Sequence, residues 1–244
     1  MRRLLAYAAV AALAIGSTTA VLARDPDKLW KIVHDRCALH PDHPTPCTFY
    51  DEAHGDALLH SLEGRGQYLL IPTARVPGME SPILLDPATP DYFAEAWDAR
   101  ARVGEAYGRT IPDTDISLAI NSKPGRSQNQ LHIHIDCIRP DVRQQLLAMV
   151  PHIGTKWQPL PQAILGVRYR AIWQPDLKTS PFRVLASSLR DPGTEMRDHT
   201  LVAWPATRPD GQAGFVLLDD HAHGLDFASG EIVQDHSCAI LKPS

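Results

Sequence analysis

The sequence lacks the surplus of basic residues that a broad nucleic-acid-binding surface needs. It contains 24 Lys and Arg against 28 Asp and Glu, which gives a formal net charge of −4. Because nucleic-acid binding depends mainly on neutralising backbone phosphates, this balance argues against such a partner. Any phosphate-bearing ligand must instead be held by a local group of cations.

Cysteine is also scarce, with four residues at Cys37, Cys47, Cys137 and Cys238. No Cys-x-x-Cys pair is present, so the usual ligand spacing of a cysteine zinc site is missing. In an exported chain, four cysteines instead predict two disulfides, and three pairings are open. A bond between Cys37 and Cys47 would close a loop rich in Pro and His. A bond between Cys137 and Cys238 would tie the C-terminus to the middle of the chain, and four reduced core thiols are the alternative.

Charged residues are absent from residues 4–23, immediately after the basic start Met1-Arg2-Arg3. Residues 1–23 therefore predict either a signal peptide that is cleaved after Ala23 or a retained N-terminal membrane anchor. The uncharged run is just long enough to span a bilayer, so both interpretations are open. Either one exports the rest of the chain, residues 24–244.

Polar and apolar residues alternate strictly over residues 130–136, which read Gln-Leu-His-Ile-His-Ile-Asp. In a β-strand, this pattern directs the three aliphatic side chains to a core and Gln130, His132, His134 and Asp136 to the opposite face. Three interpretations of the histidine pair are open. It is a half-exposed strand surface, a metal site with His132 and His134 as ligands, or a catalytic pair in which one imidazole attacks phosphorus.

A basic loop at residues 123–129, rich in turn-forming and polar residues, precedes this strand. Its backbone N–H groups, together with Lys123 and Arg126, are suited to binding an anion, most often phosphate. The alternative is a solvated turn in which Ser127 is only a turn former. The position of the loop beside the histidine pair favours catalysis on phosphorus.

The remaining pattern predicts an α+β fold with an antiparallel sheet. Strands are expected at residues 68–71 and Ile116–Ile120, and the second should pair with the histidine strand. A long amphipathic helix is expected over residues 90–107, capped by Thr89 and ended by Gly108. Shorter helices are expected at residues 27–36 and 142–150, and further strands at 166–173, 182–186, 200–204 and 215–218.

Three further histidines, His221, His223 and His236, are expected to be surface or loop residues. The His221-Ala222-His223 pattern leaves a metal-binding interpretation open. We expect a single domain over residues 24–244, in which residues 24–150 carry the motifs and residues 151–244 form a β-rich second half that completes the core.

Several stretches together resemble the histidine triad superfamily of nucleotidyl hydrolases and transferases, and within it the bacterial CDP-diacylglycerol pyrophosphatase family. They are Leu-Trp-Lys-Ile-Val at residues 29–33, Tyr-Leu-Leu-Ile-Pro-Thr at 68–73, Ser-Leu-Ala-Ile-Asn-Ser at 117–122, His-Ile-His-Ile at 132–135, Cys-Ile-Arg-Pro-Asp-Val-Arg at 137–143 and Gln-Asp-His at 234–236 with Cys238. The resemblance covers nearly the whole chain.

The superfamily motif has three alternating histidines, with the central one as nucleophile and a Gly-x-Ser upstream. This sequence keeps Gly125 and Ser127 but has Gln130 at the first histidine position. The resemblance then makes His132 the nucleophile and His134 the third position. A second register, with His134 in the centre, would place an acidic residue in the third position, where it would repel phosphate oxygens.

The resemblance implies an antiparallel sheet packed by a long helix, and hydrolysis of CDP-diacylglycerol to CMP and phosphatidate through a nucleotidyl-histidine intermediate. It implies His132 and His134 as catalytic residues and no metal or other cofactor. The expected substrate-binding residues are Asn121, Lys123, Gly125, Arg126, Ser127 and Gln130. It further implies action at a membrane surface, in the inner membrane facing the periplasm, or in the periplasm if residues 1–23 are cleaved. The alternatives are a metal-dependent hydrolase and a non-catalytic exported nucleotide- or lipid-binding module.

Overall fold

The computed structural model describes residues 25–242, so the predicted signal peptide or anchor at residues 1–23 lies outside the described residues. The described chain forms an antiparallel sheet of nine strands with short helices on both faces, as the α+β prediction requires. Within residues 25–242, no helix is both long enough and apolar enough to cross a membrane.

The strands follow one another along the chain as β1 (Cys47–Asp51), β2 (Asp56–His60), β3 (Tyr68–Pro72), β4 (Ile116–Ile120), β5 (Ile133–Cys137), β6 (Gln158–Pro159), β7 (Arg170–Gln174), β8 (His199–Thr207) and β9 (Ala213–His221). Across the sheet their order is β1-β2-β3-β5-β4-β8-β9-β7-β6. The predicted antiparallel pair of β4 and β5 is confirmed, with Leu118 opposite Ile135. Because β8 also pairs with β4, both halves of the sequence contribute to one sheet.

The helices are α1 (Lys28–Ile32), α2 (Tyr92–Asp98), α3 (Ala101–Tyr107), α4 (Pro140–Met149), α5 (Pro181–Ala186) and α6 (Pro192–Glu195). A single π-helical turn, Val33–Cys37, continues α1 and completes the predicted N-terminal helix. Proline occupies the first position of α4, α5 and α6, where its missing N–H has no intrahelical partner to lose.

Helices α2 and α3 cover one face of the sheet. Phe93 of α2 and Val103 of α3 lie in one buried cluster with Ile133 and Ile135 of β5. All four side chains are fully buried. Burial of a side chain of this size contributes about 1.5–3 kcal/mol. This cluster therefore fixes which face of β5 the aliphatic residues occupy, as their alternation predicted.

Two separate apolar clusters cover the opposite face. In the first, Leu29 of α1 packs with Leu69 of β3, and in the second, Leu146 of α4 packs with Ala119 of β4. His134 lies between these clusters, because it pairs with Leu69 on one side and Ala119 on the other. The polar face of β5 thus meets a gap between α1 and α4.

The structure has two disulfides, as the cysteine count predicted, and it selects one of the three open pairings. Cys37 is bonded to Cys47, and Cys137 is bonded to Cys238 across a sequence separation of 101 residues. The second bond holds the C-terminal segment against the end of β5, where Ile138 also bridges Gln234. This contact brings residues 230–238 to the polar face of the central strands.

The prediction of one long helix over residues 90–107 is wrong in one respect, because the structure has two helices there, α2 and α3. Near the junction, the N–H of Arg100 bonds to the carbonyl of Trp97, and the N–H of Val103 bonds to that of Arg100. These i→i−3 bonds tighten the chain between α2 and α3 without a Pro or Gly to mark the break. Asp91 rather than Thr89 occupies the N-cap position, whereas Gly108 ends α3 at a φ of 68°, as predicted.

The strand predicted at residues 182–186 is also wrong, because these residues form α5. Phe182, Leu185 and Ala186 are buried and have the i, i+3, i+4 spacing of a helix. Residues 166–173 reach strand conformation only from Arg170, after a turn in which Gly166 has a φ of 84°. The predicted strands at 200–204 and 215–218 are confirmed within the longer hairpin of β8 and β9.

Candidate active site

Beside α1, a cavity of about 300 Å³ lies on the polar face of the central strands. Its floor is formed by the start of β3, the start of β5 and the loop after β4. The lining residues are Leu29, Ser61, Glu63, Gln67, Leu69, Asn121, Gly125, Ser127, Gln128, His132, His134 and Glu231. Five of the eight residues that the sequence predicted are among them.

His132 immediately precedes β5 and is buried, with 8% of its surface exposed. Its Nδ1 lies 2.7 Å from the carbonyl oxygen of Gln130, which can only accept a hydrogen bond. Nδ1 therefore carries the proton, and Nε2 keeps its lone pair. Burial, followed by the neighbouring His134, lowers the pKa of His132 to about 4. The ring is consequently neutral at neutral pH and presents an unprotonated nitrogen.

His134 is the next side chain on the same face, with its ring centroid 4.9 Å from that of His132. Its Nδ1 lies 3.1 Å from Oε1 of Glu231, an ion-pair distance. The orientation does not satisfy hydrogen-bond geometry, and within the described chain neither ring nitrogen of His134 has a hydrogen-bond partner. A buried imidazole in this state is free to turn towards a ligand oxygen.

Glu231 is held in place by two side-chain amides. Nε2 of Gln67 donates to Oε1 at 3.0 Å, and Nδ2 of Asn121 donates to Oε2 at 3.1 Å. Burial alone would raise the pKa of Glu231, but the contacts with His134, Gln67 and Asn121 outweigh it and hold this pKa well below its usual value. Glu231 is therefore an anion beside His134.

Asn121 has both halves of its amide engaged in this arrangement. Its Oδ1 accepts bonds from Oγ of Ser229 at 3.0 Å and from the N–H of Glu231 at 3.1 Å. The sequence predicted Asn121 as a substrate-binding residue. The structure places it in the cavity wall, where its contacts orient the segment that carries Glu231.

A second histidine–carboxylate pair lies beside the first. His236 Nδ1 is 2.7 Å from Oδ2 of the fully buried Asp136, and its Nε2 is 3.4 Å from Oε1 of Glu231. The hydrogen bond to Asp136 raises the pKa of His236. His236 lies in a turn, in line with the expected surface or loop position, and its side chain is 35% exposed.

Sequence reasoning missed both Glu231 and His236 as members of this site. The signal for His236 was its position two residues before Cys238, whose disulfide to Cys137 brings the tail to β5. Glu231 has no motif of its own. It reaches the cavity only because residues 227–231 pack against the loop after β4.

The Gly125–Ser127 loop approaches the cavity as predicted. Oγ of Ser122 accepts a bond from the N–H of Gly125 at 3.1 Å and donates to the carbonyl of Phe227. A Cβ at position 125 would lie 2.7 Å from that same carbonyl oxygen, so the close approach of the two segments requires glycine. Ser127 is exposed at the cavity edge.

The two predicted cations lie outside the cavity lining. Arg126 makes a two-pronged pair with Glu80, at 2.8 and 2.6 Å, and its side chain is only 5% exposed. Lys123 Nζ lies 3.9 Å from the same carboxylate and is 44% exposed. Glu80 therefore balances one of the two positive charges that the sequence assigned to phosphate binding.

Gln130 also lies away from the cavity. Its Nε2 donates to the carbonyls of Pro72 and Ala74, at 2.9 and 2.8 Å, and its Oε1 accepts from the N–H of Val76 at 3.2 Å. The strand begins only at Ile133, so the alternation does not extend as far as Gln130. Through these bonds, Gln130 holds the chain after β3 next to its own backbone, whose carbonyl accepts the hydrogen bond from His132.

Among the described residues, His132 and His134 have few neighbours that could complete a metal site. Neither residue belongs to a group of three or more potential ligands within residues 25–242. One such group, formed by Glu63, Glu231 and His236, lies at the cavity edge. Its central carboxylate is already engaged by the two side-chain amides described above.

Comparison with known proteins places these features in a family. Residues 24–242 match the family described as CDP-diacylglycerol pyrophosphatase. The chain is 41% identical over 248 residues to the CDP-diacylglycerol pyrophosphatase of Yersinia pestis, and the alignment covers 98% of this chain and 95% of that protein. The chain therefore belongs to the CDP-diacylglycerol pyrophosphatase family, a family of hydrolases.

Proposed function

We propose that the protein hydrolyses CDP-diacylglycerol to CMP and phosphatidate, with His132 as a covalent nucleophile. The observation that carries this proposal is the His132 ring itself. It is buried and neutral, and its Nδ1 proton is held by the Gln130 carbonyl, which leaves the Nε2 lone pair available inside the cavity. Family membership supports the substrate.

In the first step, Nε2 of His132 attacks the phosphorus that bears the cytidine. A bond forms between nitrogen and phosphorus, the bond from that phosphorus to the bridging oxygen breaks, and phosphatidate leaves with the electron pair. The ring then carries a positive charge, which the Nδ1–H bond to the Gln130 carbonyl stabilises. A phosphate leaving group is a stable anion and needs no metal ion to depart.

His134 and Glu231 are placed to stabilise and move charge in both steps. When it carries a proton, His134, whose Nδ1 lies 3.1 Å from the anionic Glu231, gives that proton to the departing phosphatidate oxygen. In the second step, a water oxygen bonds to phosphorus, the nitrogen–phosphorus bond breaks with its electron pair returning to Nε2 of His132, and the water proton passes to the His134 ring that gave up its proton in the first step. CMP is released and His132 returns to its neutral form. Ser127 and the adjacent backbone supply further donors at the cavity edge.

The test is mass spectrometry of protein quenched during turnover of CDP-diacylglycerol, with EDTA present. We expect an acid-labile cytidylyl adduct on His132 that is absent from His132→Ala and unchanged in the surface control His54→Ala. An adduct on His134 would reverse the assignment of the nucleophile. Loss of turnover in EDTA, restored by metal, would favour the metal-dependent alternative, and binding without turnover would favour a non-catalytic module.

A groove beside the cavity supports a lipid substrate. It has a volume of about 390 Å³, and its exposed apolar side chains are Leu165, Leu225, Phe227 and Ile232. Exposed apolar patches of this kind are typical of membrane or lipid contacts. The groove shares its wall with the cavity, because Glu231 lines the cavity and the next residue, Ile232, lines the groove. We propose that the acyl chains of the substrate, at a membrane surface, occupy this groove.

The position of the start of the described chain also supports the proposal that the cavity acts at a membrane surface. The carbonyl of Asp25 accepts a bond from Nε2 of Gln128 at 3.1 Å, and Gln128 lines the cavity. The uncharged run at residues 4–23 therefore joins the described chain close to the cavity. We propose location at the inner membrane, facing the periplasm, or in the periplasm if residues 1–23 are removed. The two disulfides are typical of such an oxidising compartment.

The groove is tested by Leu225→Asp and Phe227→Asp, with Leu39→Asp as a control because Leu39 is also exposed, at 67%. For CDP-diacylglycerol in anionic vesicles, we expect KM to rise about tenfold in the groove variants only. Turnover of a short-chain, water-soluble analogue should be unchanged. An equal effect on both substrates would refute the lipid role, and a change in molecular mass would identify a second copy as the occupant.

A further inference from the structure

A second cluster of potential ligands lies outside the candidate active site, at the end of β9. Asp220, His221 and His223 each place one ligand atom within 4.8 Å of the atoms from the other two. Asp220 is buried, with 6% of its surface exposed, whereas both imidazoles are exposed. All three residues line one cavity of about 450 Å³, so an ion from solvent can reach them.

Hydrogen bonds hold two of the imidazoles in this region in defined tautomers. Nδ1 of His223 lies 2.9 Å from the carbonyl oxygen of His221, so it carries the proton and leaves Nε2 free. His199, which pairs with His221 across β8 and β9, has its Nδ1 2.7 Å from Oδ1 of Asp219. Histidines that bind metals usually hold their second ring nitrogen in this way.

The three imidazoles form a row along the end of the hairpin. The ring centroids of His199 and His221 are 5.7 Å apart, and those of His221 and His223 are 5.2 Å apart. Each pair of rings is only moderately tilted, by 34° and 30°. His199 is therefore an additional nitrogen donor adjacent to the three-residue cluster.

The charges around the cluster favour a cation. Asp219 is already paired with Arg170 and His199, so these groups largely balance one another. Asp220 and Asp226 line the same cavity and face one further cation, Arg168. The remaining carboxylate charge in the cavity is negative, and it lies beside the ring nitrogens of His221 and His223.

We infer that Asp220, His221 and His223 bind one divalent transition-metal ion of the Zn²⁺ type. Two imidazoles and a carboxylate form a ligand set that zinc accepts, with the fourth position left for water or for His199. This site uses none of the residues of the His132 cavity. It is independent of the proposed hydrolytic mechanism.

A bound ion would stabilise a segment that supports the active site. The N–H of Ala222 bonds to the carbonyl of Asp198 at 2.7 Å, and His223 and Asp226 exchange two backbone bonds of 2.9 Å. The chain then continues to Phe227, whose carbonyl accepts from Ser122, and to the Glu231 segment. An ion at His221 and His223 would therefore restrain residues 222–228.

The test is calorimetric titration of the chelator-treated full-length protein with ZnCl2, together with metal analysis after dialysis. We expect one zinc ion per chain, and affinity at least about tenfold weaker in His221→Gln and in His223→Gln. His34→Gln is the matched control, because His34 is an exposed imidazole whose Nδ1 pairs with Asp35 at 2.8 Å. Both tested imidazoles are exposed, so their replacement leaves the core unchanged, and circular dichroism checks this.

Hydrogen exchange gives a second measurement that does not depend on activity. Zinc should slow amide exchange in residues 222–228 of the wild type and leave it unchanged in His223→Gln. The inference is overturned if zinc affinity is the same in wild type, His221→Gln and His223→Gln. It is also overturned if zinc binding is lost instead in His132→Ala or His236→Gln, which would place the ion at the active site.

Discussion

Oε1 of Glu231 lies 3.1 Å from Nδ1 of His134, so an anion from the C-terminal segment faces the second histidine of the strand motif. The carboxylate is held by Gln67 and Asn121 and keeps a pKa below its usual value despite burial. The histidine motif of β5 is therefore completed by a residue distant in sequence. This pairing supports the proposed role of His134 in moving a proton during the reaction.

Glu231→Gln should reduce kcat for CDP-diacylglycerol by about 100-fold, with a small change in KM, because general acid–base groups typically contribute 10²–10⁴ in rate. The amide keeps the size of the side chain but removes the negative charge that lies 3.1 Å from Nδ1 of His134. Steady-state kinetics across the pH range provides the measurement. Glu63→Gln, in the same cavity but at an exposed position, is the control and should lose less than about threefold. Equal losses in both variants would contradict the role of Glu231.

Acidification should destabilise the protein through His132. Its pKa is about 4 in the folded protein and 6.5 when unperturbed. Between these values the unfolded chain binds a proton that the folded chain does not. Folding free energy is therefore lost as pH falls from about 6.5 to 4, by up to about 3 kcal/mol at 1.36 kcal/mol per pKa unit.

Urea unfolding at pH 7 and pH 4.5 measures this effect in wild type and His132→Asn. The variant should lose about 2 kcal/mol less stability than the wild type over this range. His34→Asn, at an exposed position, should behave like the wild type. His236 acts in the opposite direction, because its raised pKa gives stability at acidic pH that is lost as pH rises. An identical pH response in wild type and His132→Asn would show that His132 is not the buried neutral group.

Local patterns predicted the central part of this fold. The alternation around His132 and His134 identified β5 and its buried aliphatic face, and the cysteine count predicted the two disulfides. Both depend on neighbouring residues or on composition, which the sequence displays directly. The break between α2 and α3 was not predictable, because the apolar stripe continues across it and no Pro or Gly interrupts it.

The candidate site was predicted where it depends on the strand and its loop, and missed where it depends on tertiary contacts. Arg126 is a cation in a phosphate-binding pattern, but its pairing with Glu80 is a long-range contact. Gln130 aligns with a histidine position, yet its amide bonds to the chain after β3. His236 joins Asp136 only because the Cys137–Cys238 disulfide returns the tail to the sheet.

Gly125→Ala should destabilise the protein by about 1–3 kcal/mol, the usual cost of overpacking at a close contact. The added Cβ would lie 2.7 Å from the carbonyl oxygen of Phe227, so the loop and the 227–231 segment must separate. Thermal unfolding measures the loss, and activity should fall because Glu231 moves with that segment. Gly193→Ala is the control, since its nearest contact would be 3.5 Å from a side-chain oxygen. An unchanged melting temperature in Gly125→Ala would show that the two segments do not pack as described.

Removal of the Cys137–Cys238 disulfide should affect both stability and activity, whereas removal of Cys37–Cys47 should affect mainly stability. The first bond closes a separation of 101 residues and the second a separation of 10. In the chain-entropy model these correspond to roughly 5 and 3 kcal/mol of stability. Only the first holds the tail that carries His236 near β5.

Each bond is removed by replacing both of its cysteines with alanine, and urea unfolding is compared with kcat below the unfolding transition. We expect kcat to fall at least about tenfold in Cys137→Ala/Cys238→Ala and less than about twofold in Cys37→Ala/Cys47→Ala. Equal activity in the two double variants would mean that the tail reaches the active site without its disulfide, and that the contacts of Asn121 and Gln67 with Glu231 are sufficient to place it.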